Sequence, residues 1–470
     1  MKEKGRIWSV LKDAIHGIRW LENTIRSFLD ELGVFMTESK VCKYGNLEAA
    51  VFFGMFALIY KLALEMGFWY LLQEAYEETN VYRFEFSFGK FIYGLFWVFV
   101  LFSLIRHNER KPSTFFLQFQ YMIAIVPITV VFAFSNEEIV YYTVVCMAFA
   151  IAEVLIIVFR DVKLPKINIT SKLLVIAFCL ITCLVYADMI IENGMFTLEA
   201  LNIYKVYEVR EKFDLNKYIW YLFYWQYTII TPFFIIREYK KRKFFSMLFF
   251  CILQLVAYLY SAQKALLFII PLVVGICVIS NWKRFDTFLY AGLSIGTVFV
   301  TIGSVWSEII YRIYDLFVRR VLILPANLKF VYYDFFSQNP KIGLSGTLWG
   351  KFLELVSPYE ERIGIIISTV YFDKPEMNSN TGFLDEGYYR FGIFGVFLSL
   401  ILFAFILMIL DHCAKLNGYS FAVSMSFFSI FLLNDGSLID PLIFGTFTVL
   451  VILCIFYNFN DDFGVKKIAI

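Results

Sequence analysis

The stretch NSNTGFLDEGYYRFGIFGVFLSLILFAFILMILD, Asn378 to Asp411, decides how this chain is read. A polar, glycine-containing turn leads into a helix whose first turn holds Asp385 and Glu386. An apolar run long enough to cross a bilayer follows it. Acidic residues complement the positive end of a helix dipole, and Gly392 and Gly395 let a second helix approach closely. The run ends at Asp411, just before Lys415. A span with carboxylates at its entry and a lysine beyond its exit predicts a membrane helix starting at the outer edge and ending inside.

Working outward, the same pattern repeats. Hydrophobic residues make up 60% of the chain and charged residues 17%, with a mean hydropathy of +0.68. That places it outside the ordinary soluble range. About twelve apolar blocks are long enough to span: 47–72, 88–106, 114–134, 139–159, 173–192, 218–236, 244–262, 265–281, 286–306, 386–410, 419–434 and 438–458. Cations follow every even-numbered block: Arg106, Arg110 and Lys111; Arg160, Lys163, Lys166 and Lys172; Arg237 and Lys240 to Lys243; Lys283 and Arg284; Lys415. By the positive-inside bias these loops, and both termini, are cytoplasmic. The expectation is an all-α, polytopic membrane protein with about twelve transmembrane helices. Its parts are a cytoplasmic segment 1–46, a membrane domain 47–458 and a cytoplasmic tail 459–470.

The loops on the other side are short, with two exceptions at 193–217 and 304–385. The second, between spans nine and ten, is the large extracytoplasmic loop, and it carries Arg312, Arg319, Arg320, Asn327, Asp334, Arg362, Asn378 and Asn380. Its apolar run Ile363 to Phe372 is too short to cross and predicts an interfacial or re-entrant piece. Trp8, Leu11, Ile15, Ile18, Leu21, Ile25 and Leu29 recur at helical spacing and predict an amphipathic anchor on the inner surface.

The inventory excludes several classes. A net charge of +2 leaves no nucleic-acid footprint. His16, His107 and His412 all fall on the predicted inner side, so no outer-face zinc site or histidine base is available, and no metal or cofactor is expected. The cysteines fall in apolar blocks or inner segments, where no structural disulfide is expected. Glu77–Glu78 and Glu137–Glu138 read as solvated surface. Lys61 and Glu65, spaced i,i+4 in the first span, read as a mutually satisfying pair. Glu153 in the fourth span has no partner on this reading. Arg210, Lys264, Arg319 and Arg320 are all predicted near the outer leaflet, where guanidinium forks and an ammonium point charge suit a diphosphate.

Four segments then carry a family resemblance. They are Tyr207-Glu208-Val209-Arg210 before an aromatic span ending near Pro232, Ser261-Ala262-Gln263-Lys264-Ala265, Arg319-Arg320 with Tyr332-Tyr333-Asp334-Phe335, and Gly382-Phe383-Leu384-Asp385-Glu386-Gly387-Tyr388 followed by Phe391-Gly392 and Gly395. The chain resembles the Wzy-type polymerases of O-antigen and capsular repeat units, in layout over 47–458 and in motif mainly over 204–410. Lys264 departs from the arginine common there.

The resemblance implies a glycosyltransferase. It would move a growing glycan from its undecaprenyl diphosphate to the terminal hydroxyl of a new lipid-linked repeat unit. Arg210, Arg319 and Glu386 become catalytic candidates, with Glu386 as proton acceptor unless the site is purely electrostatic. Lys264, Arg320, Tyr333, Asn380 and Tyr388 become substrate-binding candidates. Implied partners are the lipid-linked oligosaccharide, membrane lipid, a chain-length regulator and a flippase. A flippase for the same substrate, or another membrane glycosyltransferase or ligase with polyprenyl-linked donors, is the alternative.

Overall fold

Proline placement explains the backbone's main irregularities. In the computed structural model, four helical stretches widen for a few residues: at Gly67–Leu72, at Tyr121–Ile125, at Gln226–Ile230 and at Asp315–Ile323. The last three each end two residues before a proline, Pro127, Pro232 and Pro325 respectively. Proline lacks an N–H and its ring collides with the carbonyl four residues earlier. Opening the preceding turn removes that collision without breaking the helix.

The structure describes residues 45–79, 81–107, 109–159, 171–202, 205–282, 284–459 and 462. The predicted N-terminal amphipathic helix and most of the C-terminal tail lie outside them. The chain divides into two compact units, Met1–Val51 and Phe52–Ile470. The second unit holds all the described residues from Phe52 onward.

The described residues are helical, with no strand among them. In chain order the helices are α1 (Glu48–Tyr76), α2 (Phe88–Leu104), α3 (Pro112–Phe134), α4 (Ile139–Val158), α5 (Ser171–Asn193), α6 (Val206–Lys212), α7 (Ile219–Lys240), α8 (Phe244–Ser261), α9 (Lys264–Ile279) and α10 (Phe285–Gly303). Then come α11 (Glu308–Tyr314), α12 (Leu324–Gln338), α13 (Leu348–Phe352), α14 (Ile363–Phe372), α15 (Phe383–Phe391), α16 (Ile393–Asn417), α17 (Tyr419–Leu432), α18 (Ile439–Phe444) and α19 (Thr446–Phe456). Eight of these (α1, α3, α4, α5, α7, α8, α10 and α16) are long and apolar enough to cross a membrane. The shorter apolar helices α2, α9, α17 and α19 fall where the sequence predicts the remaining spans.

Burial separates centre from rim. The apolar window of α3 is 100% buried, whereas that of α5 is only 22% buried although it is the more apolar of the two. A helix that is apolar and uncovered suits an apolar solvent, as expected of a polytopic membrane protein. Side chains such as Phe99, Leu180, Ile191 and Phe245 stand exposed on that rim. The polar residues of α3 are spent holding its neighbours. Gln120 donates to the Ile430 carbonyl on α17 at 3.0 Å, Tyr121 to Val98 on α2 at 3.0 Å, and Thr129 meets the Tyr142 hydroxyl on α4 at 2.9 Å.

Contacts sort the helix ends onto two faces. Arg110, after α2, donates to Ser280 after α9 at 2.7 Å and lies over the Tyr419 ring at the start of α17. Arg237, near the end of α7, pairs with Asp462 of the tail. Lys240, at the same end of α7, lies over the Phe421 ring at the start of α17, so these cation-bearing ends share one face. At the other face Ser135 donates to Arg83, Tyr258 to Ala200 and Asn327 to Val81.

Three expectations are adjusted. The tenth span was expected to run unbroken from 386, but the chain turns at Gly392 (φ +66°) and α16 begins at Ile393. Gly387 and Gly395 sit backbone to backbone across that corner, where a Cβ on either would strike the other's carbonyl. The last span is likewise interrupted at Gly445, packed on Pro441. The stretch 304–385 is largely folded: Asp315–Ile323 joins α11 to α12 as one helical rod, and α12 is buried along Pro325–Phe330.

Candidate functional site

Arg210 and Lys264 come together at one turn. α8 ends at Ser261, Ala262 adopts a left-handed conformation (φ +48°), and Lys264 opens α9. From α6 the Arg210 guanidinium donates to the Ala262 carbonyl at 3.0 Å and lies over the Tyr207 ring. Both cations are exposed, and among the described residues neither forms an ion pair. Two positive charges thus flank a turn, and no carboxylate among the described residues pairs with either.

Arg319 is differently placed. It lies in the wide turn before Pro325 and binds Asp315 through two nitrogens, the second bond being 3.0 Å. It also covers the Tyr76 ring of α1, whose hydroxyl donates to Asp315 at 3.2 Å. Although burial raises the Asp315 carboxyl, its bonds and charge contact with Arg319 hold it below the usual range overall. Arg319 is therefore already matched, while its neighbour Arg320 stands exposed with no ion pair among the described residues. No described bond or ring contact links this pair of arginines to Arg210 or Lys264.

Glu386 is buried and saturated. It accepts from Arg390 Nε at 2.9 Å and from the Ser437 hydroxyl on one oxygen. The other accepts the backbone N–H groups of Leu438 at 2.7 Å and Ile439 at 2.9 Å. The carboxylate thereby caps α18 and ties it to α15. Taking a proton from an incoming hydroxyl would first require one of these bonds to break.

Tyr333 and Tyr388 do converge, and they enclose Tyr141 of α4. The ring centroids are 4.8 Å apart for Tyr141–Tyr333, 4.9 Å for Tyr333–Tyr388 and 5.5 Å for Tyr141–Tyr388. Lys341 approaches the Tyr388 face at 5.2 Å. Behind the rings, Asp385 accepts from the Tyr141 hydroxyl at 2.8 Å and from Thr381, and stands 3.7 Å from Lys329. Burial raises the Asp385 carboxyl, and Lys329, Thr381, Tyr141 and the Gly382 N–H offset this in part. Asn380 is exposed and accepts from Asn378 at 2.8 Å. The turn carrying it is pinned to α12 by Tyr332, which donates to Ser379 at 2.8 Å.

The turn before α4 also carries a carboxyl that the sequence alone places on the surface. Glu137 lies in the turn before α4, which Lys90 holds by donating to the carbonyls of Asn136 at 2.8 Å and Glu137 at 2.6 Å. Burial pushes the Glu137 carboxyl up to about 7, against the pull of Arg83 and Lys90 and with the push of Asp334 and Glu138. Asp334 adjoins Tyr333, and it accepts from Tyr371 at 2.7 Å. Lys329 beside Asp385 and Arg390 beside Glu386 are not singled out by the sequence reading. The legible signals were a lysine inside the apolar LPANLKF segment and an arginine four residues after Glu386.

Comparison of the chain with protein-family models, with curated proteins and with solved structures finds no match.

Proposed function

We propose that the chain is a membrane glycosyltransferase. It joins undecaprenyl-diphosphate-linked oligosaccharide repeat units into a surface polysaccharide at the outer face of a bacterial cytoplasmic membrane, which it crosses twelve times. The observation that carries this reading, beside the motif resemblance, is the exposed Arg210–Lys264 pair around the Ala262 turn. Unmatched cations at the end of apolar helices suit a lipid diphosphate better than a neutral ligand.

The chemistry follows from charge. The acceptor hydroxyl oxygen bonds to the anomeric carbon as the bond from that carbon to the diphosphate breaks. The electron pair leaves with the diphosphate, and fixed cations stabilise it as charge gathers there. Arg210 and Lys264 supply those cations, while Arg319 orders the wide turn through Asp315. The hydroxyl proton goes to a carboxylate. Glu137 suits that role better than Glu386, because a general base works best with a pKa near the working pH and Glu386 is fully engaged. The half-buried Tyr333 offers a ring for a sugar, and the buried Tyr388 backs it.

The test is the surface glycan of a strain lacking the protein. A single capped repeat unit is the expected outcome, and complete absence of the unit would assign a flippase instead. Arg210→Ala, inserted at normal levels, should lose about 100- to 1,000-fold in rate. Normal chain lengths in that variant would remove Arg210 from the site.

A further inference from the structure

A second polar site lies at the opposite, cation-bearing end of the bundle. There the end of α2, the start of α3, α4 and the end of α16 enclose a cavity lined by Arg106, Lys111, Ser113, Thr114, Glu153 and Asp411. Its interior leaves about 20 Å³ in which the centre of a guest can move, which is room for about one water-sized species.

All but one of the charges around it are already matched. Arg106 and Lys111 both bridge to Glu109, at 2.9 and 2.8 Å. Asp411 accepts the Ser113 N–H at 2.9 Å and the Ser113 hydroxyl at 2.6 Å. Tyr121, the titratable group of α3 nearest in influence, commits its hydroxyl to Val98 at 3.0 Å. Glu153 is the exception. It is only 1% exposed, and among the described residues both of its carboxyl oxygens lack a hydrogen-bond partner. An ionised carboxylate buried without a donor or counter-charge is costly. The cavity holds nothing much larger than a water, and a small positive guest offsets the charge itself where a neutral water only hydrogen-bonds to it.

We propose that Glu153 and this cavity bind one exchangeable small monovalent cation, a proton or Na⁺. Glu153 is the charged ligand, with Thr114 and Asp411 supplying further oxygens. The site belongs to α4, whose first turn carries Tyr141 at the other end of the molecule, but its existence does not depend on the proposed glycan chemistry.

The test uses the full chain in detergent and an apolar carbodiimide, which adds to protonated carboxyls in apolar surroundings. Labelled peptides are mapped by mass spectrometry. Glu153 should be modified. If the guest is a proton, modification should fall about tenfold per pH unit above its midpoint. If it is Na⁺, modification should fall at constant pH when Na⁺ replaces choline at equal ionic strength. In parallel, the wild-type melting midpoint should respond to the same variable, and Glu153→Gln should lose that response. An unlabelled Glu153, or labelling indifferent to both pH and Na⁺, overturns the proposal even if the Gln variant does not fold.

Discussion

The Tyr141 hydroxyl donates to Asp385 at 2.8 Å and so joins the first turn of α4 to the first turn of α15. The two residues are far apart in sequence, and each sits at the start of a helix. Asp385 also closes its own helix start by accepting from the Gly382 N–H at 3.2 Å. One buried carboxylate thus fixes both a helix terminus and the contact between two helices. Tyr141→Phe keeps the ring stack but removes the donor. It should cost about 1–3 kcal/mol, read as a lower melting midpoint of the purified protein. An unchanged midpoint would show that Asp385 finds another donor.

Glu386→Gln should damage folding before chemistry. It breaks a buried pair with Arg390 and turns an amide toward the N–H groups of Leu438 and Ile439. Breaking such a pair typically costs about 3–5 kcal/mol, against about 0.3–1 kcal/mol for a residue that only complements a helix dipole. A variant with a wild-type melting midpoint and no polymer would restore Glu386 as the proton acceptor and displace Glu137.

Arg319 and Asp315 should behave as a unit. A double-mutant cycle with Arg319→Ala and Asp315→Ala should give a coupling energy of about 0.5–3 kcal/mol. The double variant should then melt higher than the sum of the single losses allows. Additive losses would free Arg319 for direct contact with substrate.

Glu137 makes a pH prediction. Its pKa in the folded protein is raised from the ordinary 4.5 to about 7, so the folded state keeps this proton longer than the unfolded chain does. The stability it contributes is whole below about pH 4.5 and is lost as pH rises through about 7. Glu137→Gln should flatten the melting midpoint over that interval. An identical pH profile for wild type and variant would contradict the assignment.

Sidedness can be tested directly. Reporter fusions at Asn216 and Ser345 should report outside, and those at Lys241 and Lys415 inside. An inside signal at Ser345 would overturn the outer-face site.

The apolar helices were legible in the sequence because burial in lipid is a composition rule: a run of about 20 apolar residues is needed whatever its neighbours are. The shared face of the cation-bearing ends followed from the same bias, and the Lys61–Glu65 pair followed from i,i+4 spacing. The wide turns were less legible, since Pro127, Pro232 and Pro325 mark a conflict in the helix but not how it is relieved.

What only tertiary structure decided is which charges are spoken for. By sequence, Arg319 and Arg210 look alike, as do Glu386 and Glu137. Packing hands Arg319 to Asp315 and gives Glu386 four donors, while it leaves Arg210 and Lys264 unmatched and Glu137 partly stripped of water. Burial and pairing set the reactivity of a charge, and both depend on residues brought in from distant parts of the chain. Tyr141, far in sequence from Tyr333 and Tyr388, completes the cluster of three rings for that reason, and Glu153 is a buried carboxyl with no hydrogen-bond partner among the described residues.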